Sequence, residues 1–303
     1  MKRVALVALA LSGCFFDSDE PLPPLEGDIY QYVVSDLFVP INNTQAREFG
    51  LDLDGNTTID NQLGMVFGTL ESVGLGTAST AHEALLRGGV VLLAELQTTS
   101  LDDADDAGLT TFLGGNPVPD ACIDEADLST CGQHLKGTGQ FTVDLDSASH
   151  QARAPIADGR LVGATGIMPV ELAISIAGII RLDLRGAKVK LTDITPDGAR
   201  GVLAGAIAPI DIENVVIPEA AQQIARIVAD ECTGQPIGDS PCGCRDRSRA
   251  LERAFDTNND CRVDLREVSE SSIASALLAP DVKVHGQMML SFGVGVELAR
   301  ATF

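Results

Sequence analysis

Oxygen-bearing groups recur at alternate positions between residues 256 and 267. Counted as positions 1, 3, 5, 7, 9 and 12 of a twelve-residue segment, they are Asp256, Asn258, Asp260, Arg262, Asp264 and Glu267. Position 7 offers its main-chain carbonyl, and the others offer side-chain oxygens. A Ca²⁺ ion takes about six to eight oxygen ligands, and a tight loop can point alternate groups at one centre. The segment therefore predicts a site for a hard divalent cation.

Apolar residues with helical spacing flank this segment. Leu251, Ala254 and Phe255 recur at i, i+3 and i+4 before it, and Leu265 and Val268 continue a similar spacing after it. In ligand order and in flanks, residues 245–278 resemble an EF-hand. The resemblance implies calcium binding by the six residues named above, with Ca²⁺ as the cofactor.

Position 6 departs from the EF-hand pattern. It is normally glycine because the turn needs a positive φ, and here it is Cys261. A residue other than glycine costs about 1 to 2 kcal/mol in that conformation. Two readings follow: a disulfide at Cys261 holds the turn, or the loop binds calcium weakly. A solvated acidic helix-loop-helix that binds no ion is the plain alternative.

A second acidic loop follows the same template near the start of the chain. Positions 1, 3, 5, 7 and 9 are Asp52, Asp54, Asn56, Thr58 and Asp60. Position 6 is Thr57, and position 12 is Leu63, which cannot ligate a metal. The loop resembles the shorter calcium loops of dockerin or thrombospondin repeats as much as an EF-hand, which implies a second metal site. The alternative is a rigid turn in which Asp60 caps a helix over residues 61–73.

Six cysteines remain when Cys14 is set apart. Cys122 and Cys131 are close enough in sequence to close a small disulfide loop. The other four are Cys232, Cys242, Cys244 and Cys261. Because Cys242 and Cys244 are too near each other to pair comfortably, we expect Cys232 to pair with one and Cys261 with the other. Free thiols or a zinc site are the alternatives.

The first residues indicate export. Lys2 and Arg3 precede an apolar run over residues 4–11, which is too short to span a membrane. The run ends in Leu11-Ser12-Gly13-Cys14, which resembles the bacterial lipoprotein box. The resemblance implies a signal peptide over 1–13, a lipidated Cys14 that anchors the chain, and a location in the cell envelope. Phe15, which follows the cysteine, favours the outer membrane. An ordinary secretory signal with a chance cysteine is the alternative.

The rest of the chain predicts an α+β fold with an antiparallel, β-rich body. Residues 14–27 are acidic and proline-rich and predict a tether. Apolar residues alternate with polar ones over long stretches of 28–231, as in half-buried antiparallel strands. We expect strands to continue from Val202 to Val216 and a helix from Pro218. A disulfide-stapled EF-hand unit over 232–280 is then inserted before terminal strands over 281–303.

Composition restricts the function. A net charge of −22 repels nucleic acid and anionic lipid headgroups. The chain contains no G-x-S-x-G, no H-E-x-x-H and no P-loop motif, so we predict that it is not an enzyme. The leading hypothesis is a calcium-binding envelope lipoprotein in which the ion is structural. A carrier of lipid or another hydrophobic ligand is the alternative, because a sheet with one apolar face can enclose a cavity. A hydrolase with an unrecognised site ranks third.

Overall fold

The computed structural model describes residues 24–72, 76–173 and 178–303. The predicted signal peptide, Cys14 and most of the predicted tether lie outside the described residues, as does the end of one predicted strand, residues 174–177. Within the described ranges, every helix is too short or too polar to cross a membrane.

The predicted α+β, β-rich fold is confirmed. Its strands are β1 (Asp28–Phe38), β2 (Leu92–Thr98), β3 (Ala104–Val118), β4 (Gly139–Asp144), β5 (Ala152–Ala157), β6 (Arg160–Ala173), β7 (Ile179–Thr195), β8 (Gly198–Ile207), β9 (Val282–Val284) and β10 (Gln287–Thr302). Antiparallel pairing runs through β1, β2, β3, β5, β6, β7, β8 and β10, and β10 pairs again with β1. The sheet therefore closes on itself.

The two remaining strands add to this closed sheet. β4 pairs antiparallel with β3 and in parallel with the last residues of β10, while β9 forms a hairpin with β10. Alternation along each strand directs one set of side chains inward. On β7, for example, Leu182 and Leu184 are buried, whereas Arg181 and Asp183 are exposed. The inward side chains form the main hydrophobic core.

The α-helices lie between β1 and β2 and between β8 and β9. They are α1 (Asn43–Glu48), α2 (Gln62–Ser72), α3 (Thr77–Leu86), α4 (Pro209–Asp211), α5 (Ile217–Glu231), α6 (Asp246–Phe255), α7 (Leu265–Ser269) and α8 (Ser272–Leu277). A π-helical segment, Ile212–Val216, joins α4 to α5, and short 3-10 helices cover Leu128–Thr130, Gln133–Leu135 and Leu145–Ser147. A second, smaller core is shared by α5 and by the helices of the inserted segment, α6, α7 and α8.

One expectation about local structure was wrong. The strand expected from Val202 ends at Ile207, because Pro209 begins a helical segment and the buried residues then take helical spacing, with Ile212 and Val216 inward. The acidic run from residue 102 to 106 reaches into β3, where Asp105 and Asp106 point to solvent.

Asn61 ties the early helices to the last strand. Its side-chain amide donates to the carbonyls of Ala46 and Gly293, at 2.9 Å each. Its side-chain oxygen accepts from the amides of Gly64, at 3.0 Å, and Gly293, at 2.9 Å. Asn61, rather than the expected Asp60, therefore receives the hydrogen bond from the first turn of α2. With 1 % of its surface exposed, it makes these bonds away from water.

We expect Asn61→Ala to lower the free energy of unfolding by about 3 kcal/mol, because it leaves several buried backbone groups without partners. Urea unfolding measures the change. Asn43→Ala, which removes the same side chain from an exposed position, is the matched control and should change stability by less than about 0.5 kcal/mol. Equal effects of the two substitutions would contradict this role for Asn61.

Candidate functional site

Three disulfides join the six described cysteines. Cys122 pairs with Cys131, Cys232 with Cys244, and Cys242 with Cys261. The expected pairing is confirmed, and no described cysteine is left as a free thiol or a zinc ligand. The bond from Cys261 ties the predicted calcium loop to the segment before α6.

The turn at Cys261 has the backbone conformation that the EF-hand template requires. Its φ is +64°, and Asn259, at position 4, also has a positive φ of +58°. The Asp256 carboxylate accepts hydrogen bonds from the amides of Asp260, at 3.1 Å, and Cys261, at 3.0 Å. The disulfide and these two bonds offset the cost of the left-handed conformation at a residue other than glycine.

The loop beginning at Asp52 forms the same turn. Positions 4 and 6 are Gly55 and Thr57, whose φ values are +82° and +69°. The Thr57 amide donates to the Asp52 carboxylate at 2.8 Å, as the Cys261 amide does to Asp256. The amide of Thr58 donates to the Asn56 side chain at 2.6 Å. The two loops therefore share dihedral signs and hydrogen bonds at equivalent positions, although no disulfide supports the first.

Carboxylates converge more closely in the Asp52 loop. Oxygens of Asp52, Asp54 and Asp60 lie within 4.8 Å of one another, a separation that one cation bound by all three would require. The predicted position 12 of this loop, Leu63, is buried and apolar. The residues present thus fit an oxygen-ligated cation with fewer protein ligands than a full EF-hand supplies.

Glu267 is the main difference in the Asp256 loop. Its carboxylate accepts hydrogen bonds from the amides of Thr257, at 3.0 Å, Asn258, at 3.3 Å, and Asp264, at 3.1 Å. The Asp264 carboxylate in turn accepts from the Glu267 amide at 2.9 Å and caps α7. Both oxygens of Glu267 are thus engaged by the backbone, so bidentate ligation requires this side chain to turn.

Sulfur also lies beside Asp256. Sγ of Cys242 is 3.4 Å from a carboxylate oxygen of Asp256. Sγ of Cys261 also lies within 4.8 Å of both residues. These sulfurs are joined in a disulfide and are not the thiolates that bind metal. The oxygen side chains of the loop are therefore its candidate ligands.

Negative charge accumulates in both loops. Burial raises the pKa of Asp256, and the charges of Glu267 and Asp260 act in the same direction against the hydrogen bonds from the backbone. Burial likewise raises the pKa of Asp60, with Asp54 among the charges that add to the shift. A bound cation would favour the ionised carboxylates that these surroundings disfavour.

One lysine partly neutralises the negative charge of the Asp52 loop. The Lys188 ammonium, carried on β7, donates to the main-chain carbonyl of Asp52 at 2.6 Å. Partial burial tends to raise the pKa of Asp52, but hydrogen bonds from Thr57 and Gly55, together with the charge of Lys188, hold that pKa below its ordinary value. These surroundings therefore favour the ionised form of Asp52, which is the form of a carboxylate that binds a metal.

An apolar cavity of about 560 Å³ lies between one end of the closed sheet and the helices. Its walls come from the end of β1, from α2 and α3, from β6, β7 and β10, and from α5 to α8. Phe67 and Phe292 line it, and their rings meet edge to face. A cavity of this size and polarity is typical of sites for small hydrophobic molecules.

The predicted calcium loop adjoins this cavity. Phe255, which lines it, directly precedes Asp256, and Val268, which also lines it, directly follows Glu267. At each end of the loop, a predicted ligand is therefore the immediate neighbour in sequence of a residue that lines the cavity. The sequence indicates an apolar face on each of these helices, but periodicity cannot show that the faces border a void.

Comparison with protein-family models, curated proteins and solved structures finds no match to this chain. Proposals about metal ligands and about the cavity accordingly rest on residues and geometry, and the proposal of a lipid anchor rests on the sequence alone.

We expect Asp60→Asn to stabilise the chelator-treated protein at pH 7. A carboxyl whose pKa is raised by folding destabilises the native state when it is ionised, and asparagine retains the acceptor for the Leu53 amide. As the pH falls through the raised pKa towards the ordinary value near about 4, the parent protein regains this stability. The difference should therefore shrink with acidification.

Urea unfolding at pH 7, 6, 5 and 4 tests this prediction. Asp105→Asn, at an exposed position on β3, controls for the change in net charge. A variant no more stable than the parent at pH 7, or a difference that grows on acidification, would contradict the electrostatic account of the Asp52 loop.

Proposed function

We propose that this protein is a calcium-binding lipoprotein of the bacterial cell envelope, in which the ion stabilises two loops. The main support is that the loops at Asp52 and Asp256 adopt the same turn, with positive φ at positions 4 and 6 and an amide from position 6 to the first carboxylate. The same turn thus forms in two segments whose flanking sequences differ, and in both it accompanies the same order of oxygen-bearing residues.

The ligands in this proposal are the oxygens of the two loops. Asp52, Asp54 and Asp60, with Asn56 and Thr58, would hold one ion. The second would be held by Asp256, Asn258, Asp260, the Arg262 carbonyl, Asp264 and Glu267. Bound Ca²⁺ supplies positive charge where burial and neighbouring carboxylates disfavour ionisation. Extracellular calcium modules have dissociation constants of about 10⁻⁴ to 10⁻³ M, which is the range we expect here.

The anchor is the other half of the proposal. The resemblance of residues 11–14 to a lipoprotein box would place acyl chains on Cys14, with the outer membrane as the favoured location. The three disulfides are compatible with an oxidising compartment. In such a compartment the staple between Cys242 and Cys261 would persist and keep the second loop formed.

Calorimetric titration of Ca²⁺ tests the two sites. A chain from Phe15, which retains every described residue, should bind two ions after treatment with chelator. We expect Asp52→Ala and Asp256→Ala each to remove one site. At 10 mM Ca²⁺, each occupied site should add about 1.4 to 2.7 kcal/mol to the free energy of unfolding.

The control for this titration is Asp105→Ala, which removes an exposed acidic charge far from either loop in sequence. It separates a defined site from diffuse attraction to an acidic surface. Diffuse heat that is the same in the parent and in all three variants would refute the calcium sites. Loss of one stoichiometric site in only one of the loop variants would restrict the proposal to that loop.

The cavity favours a second function, which is the binding of a hydrophobic ligand. About 560 Å³ lined by aliphatic and aromatic side chains is enough for a small apolar molecule or chain. Strands of the closed sheet supply part of the wall, and helices α2, α3 and α5 to α8 supply the rest. The protein would then act as a carrier of lipid or of another hydrophobic molecule in the envelope.

Filling the cavity tests this second function. Ala220 on α5 lines the cavity, whereas Ala229 on the same helix is exposed. We expect Ala220→Trp to weaken binding of the neutral apolar dye Nile red at least about tenfold, because the indole occupies the ligand volume. Ala229→Trp should leave it unchanged. Equal dye binding by the two variants, with matched melting temperatures, would contradict a ligand site in this cavity.

A further inference from the structure

The cavity has an uneven distribution of charge. Among its lining residues are two arginines, Arg226 on α5 and Arg247 on α6, and no aspartate or glutamate. Both arginines are exposed at their ends, whereas the deeper lining is buried and apolar. Gln223 and Thr77 add neutral polar groups. The lining thus combines an apolar interior with cationic groups at its rim.

We propose that the ligand is an anionic amphiphile, with its hydrocarbon chain in the cavity and its headgroup beside Arg226. This inference rests on the proposed carrier function and specifies the ligand class. A carboxylate or phosphate head would meet the guanidinium at the rim, where water still reaches it. The chain would contact the buried aliphatic and aromatic side chains of the sheet and helices.

Arg226 is the better-placed cation because its charge is available. Its guanidinium donates to the neutral side chain of Gln222 at 3.3 Å, and it forms no ion pair among the described residues. Arg247 is different, since it pairs with Glu231 through a hydrogen bond of 2.8 Å. Arg247 therefore contributes mainly its aliphatic stem to the wall.

Charge composition sharpens this point. The chain has 43 acidic residues against 21 lysines and arginines. The feature that distinguishes Arg226 is its position at the edge of an apolar cavity. Arg226 supplies a local positive charge that no aspartate or glutamate in the lining cancels.

The net charge of −22 repels an anionic ligand. The distance over which this repulsion acts determines how strongly it opposes binding at the rim. At physiological ionic strength charges are screened over about 8 Å. The distant acidic surface is therefore largely screened from a headgroup at the rim, whereas a guanidinium within hydrogen-bonding distance is not. At low salt the repulsion from the acidic surface extends further. The affinity for an anionic ligand should therefore not simply rise as the salt concentration is lowered.

Competition between Nile red and three twelve-carbon amphiphiles tests the inference. Dodecanoate, 1-dodecanol and dodecylammonium share a chain length and differ in headgroup charge. We use the chain from Phe15 in calcium-free buffer at physiological ionic strength, so that calcium soaps do not form. The expected order of affinity is dodecanoate, then dodecanol, then dodecylammonium.

Arg226→Gln should weaken dodecanoate about threefold, as expected for one partly exposed ion pair, and leave dodecanol unchanged. Arg249→Gln is the matched control, because it makes the same change in net charge at an arginine that pairs with Asp239 and does not line the cavity. It should alter neither affinity.

The outcomes distinguish the two levels of the proposal. If neither the dye nor any amphiphile binds, the carrier function fails. If dodecanol and dodecanoate bind equally and Arg226→Gln affects neither, the carrier function stands and the anionic headgroup is refuted. Preference for dodecylammonium would likewise overturn the inference, because it would show that the acidic surface dominates at the rim.

Discussion

The structure depends on the pairing of β10 with two strands at once. Its backbone pairs with β8 from Leu290 to Ala299 and with β1 from Gly295 to Arg300, and this double pairing closes the sheet. The same strand receives Asn61 at Gly293 and the carboxylate of Asp281 at Ser291. Because β10 follows α4 to α8 in the chain, the ring cannot close before these helices have been traversed. Long-range pairing of this kind costs loop-closure entropy, which the completed ladder and core must offset.

The two acidic loops differ in how backbone amides engage their carboxylates. In the Asp256 loop, amides engage Asp256 and both oxygens of Glu267, and the disulfide at Cys261 secures the turn. In the Asp52 loop, three carboxylates converge, and Lys188 approaches from β7. The loop with the more complete ligand sequence is therefore the one whose closing glutamate is already engaged. The order of residues in the sequence shows which oxygens are present in a loop. Whether those oxygens point at one centre depends on the hydrogen bonds that each of them already accepts.

Sequence reasoning succeeded where a local pattern determines the structure. Alternation along β7 identified inward and outward residues, and the short spacing between Cys242 and Cys244 was enough to anticipate their separate partners. It failed where a nearby contact competes. Asp60 has the chemistry of a cap, yet the buried amide of Asn61 takes that position because Gly293 lies opposite it. The sequence indicated that an apolar sheet face can enclose a cavity, but it did not give the position of that cavity. Phe255 and Val268 have the pattern of ordinary core residues, and only the tertiary arrangement leaves space beside them.

Phe255 directly precedes Asp256, and Val268 directly follows Glu267, so the predicted loop and the cavity wall meet along the chain. A single peptide bond separates each of these two candidate ligands from a wall residue. If the proposed ion and the proposed hydrophobic ligand affect each other's binding, thermodynamic reciprocity makes the two effects equal: whatever factor the ion contributes to the affinity for the ligand, the ligand contributes to the affinity for the ion. Retention of the ligand would then follow the local calcium concentration, and loaded and empty protein would buffer calcium differently.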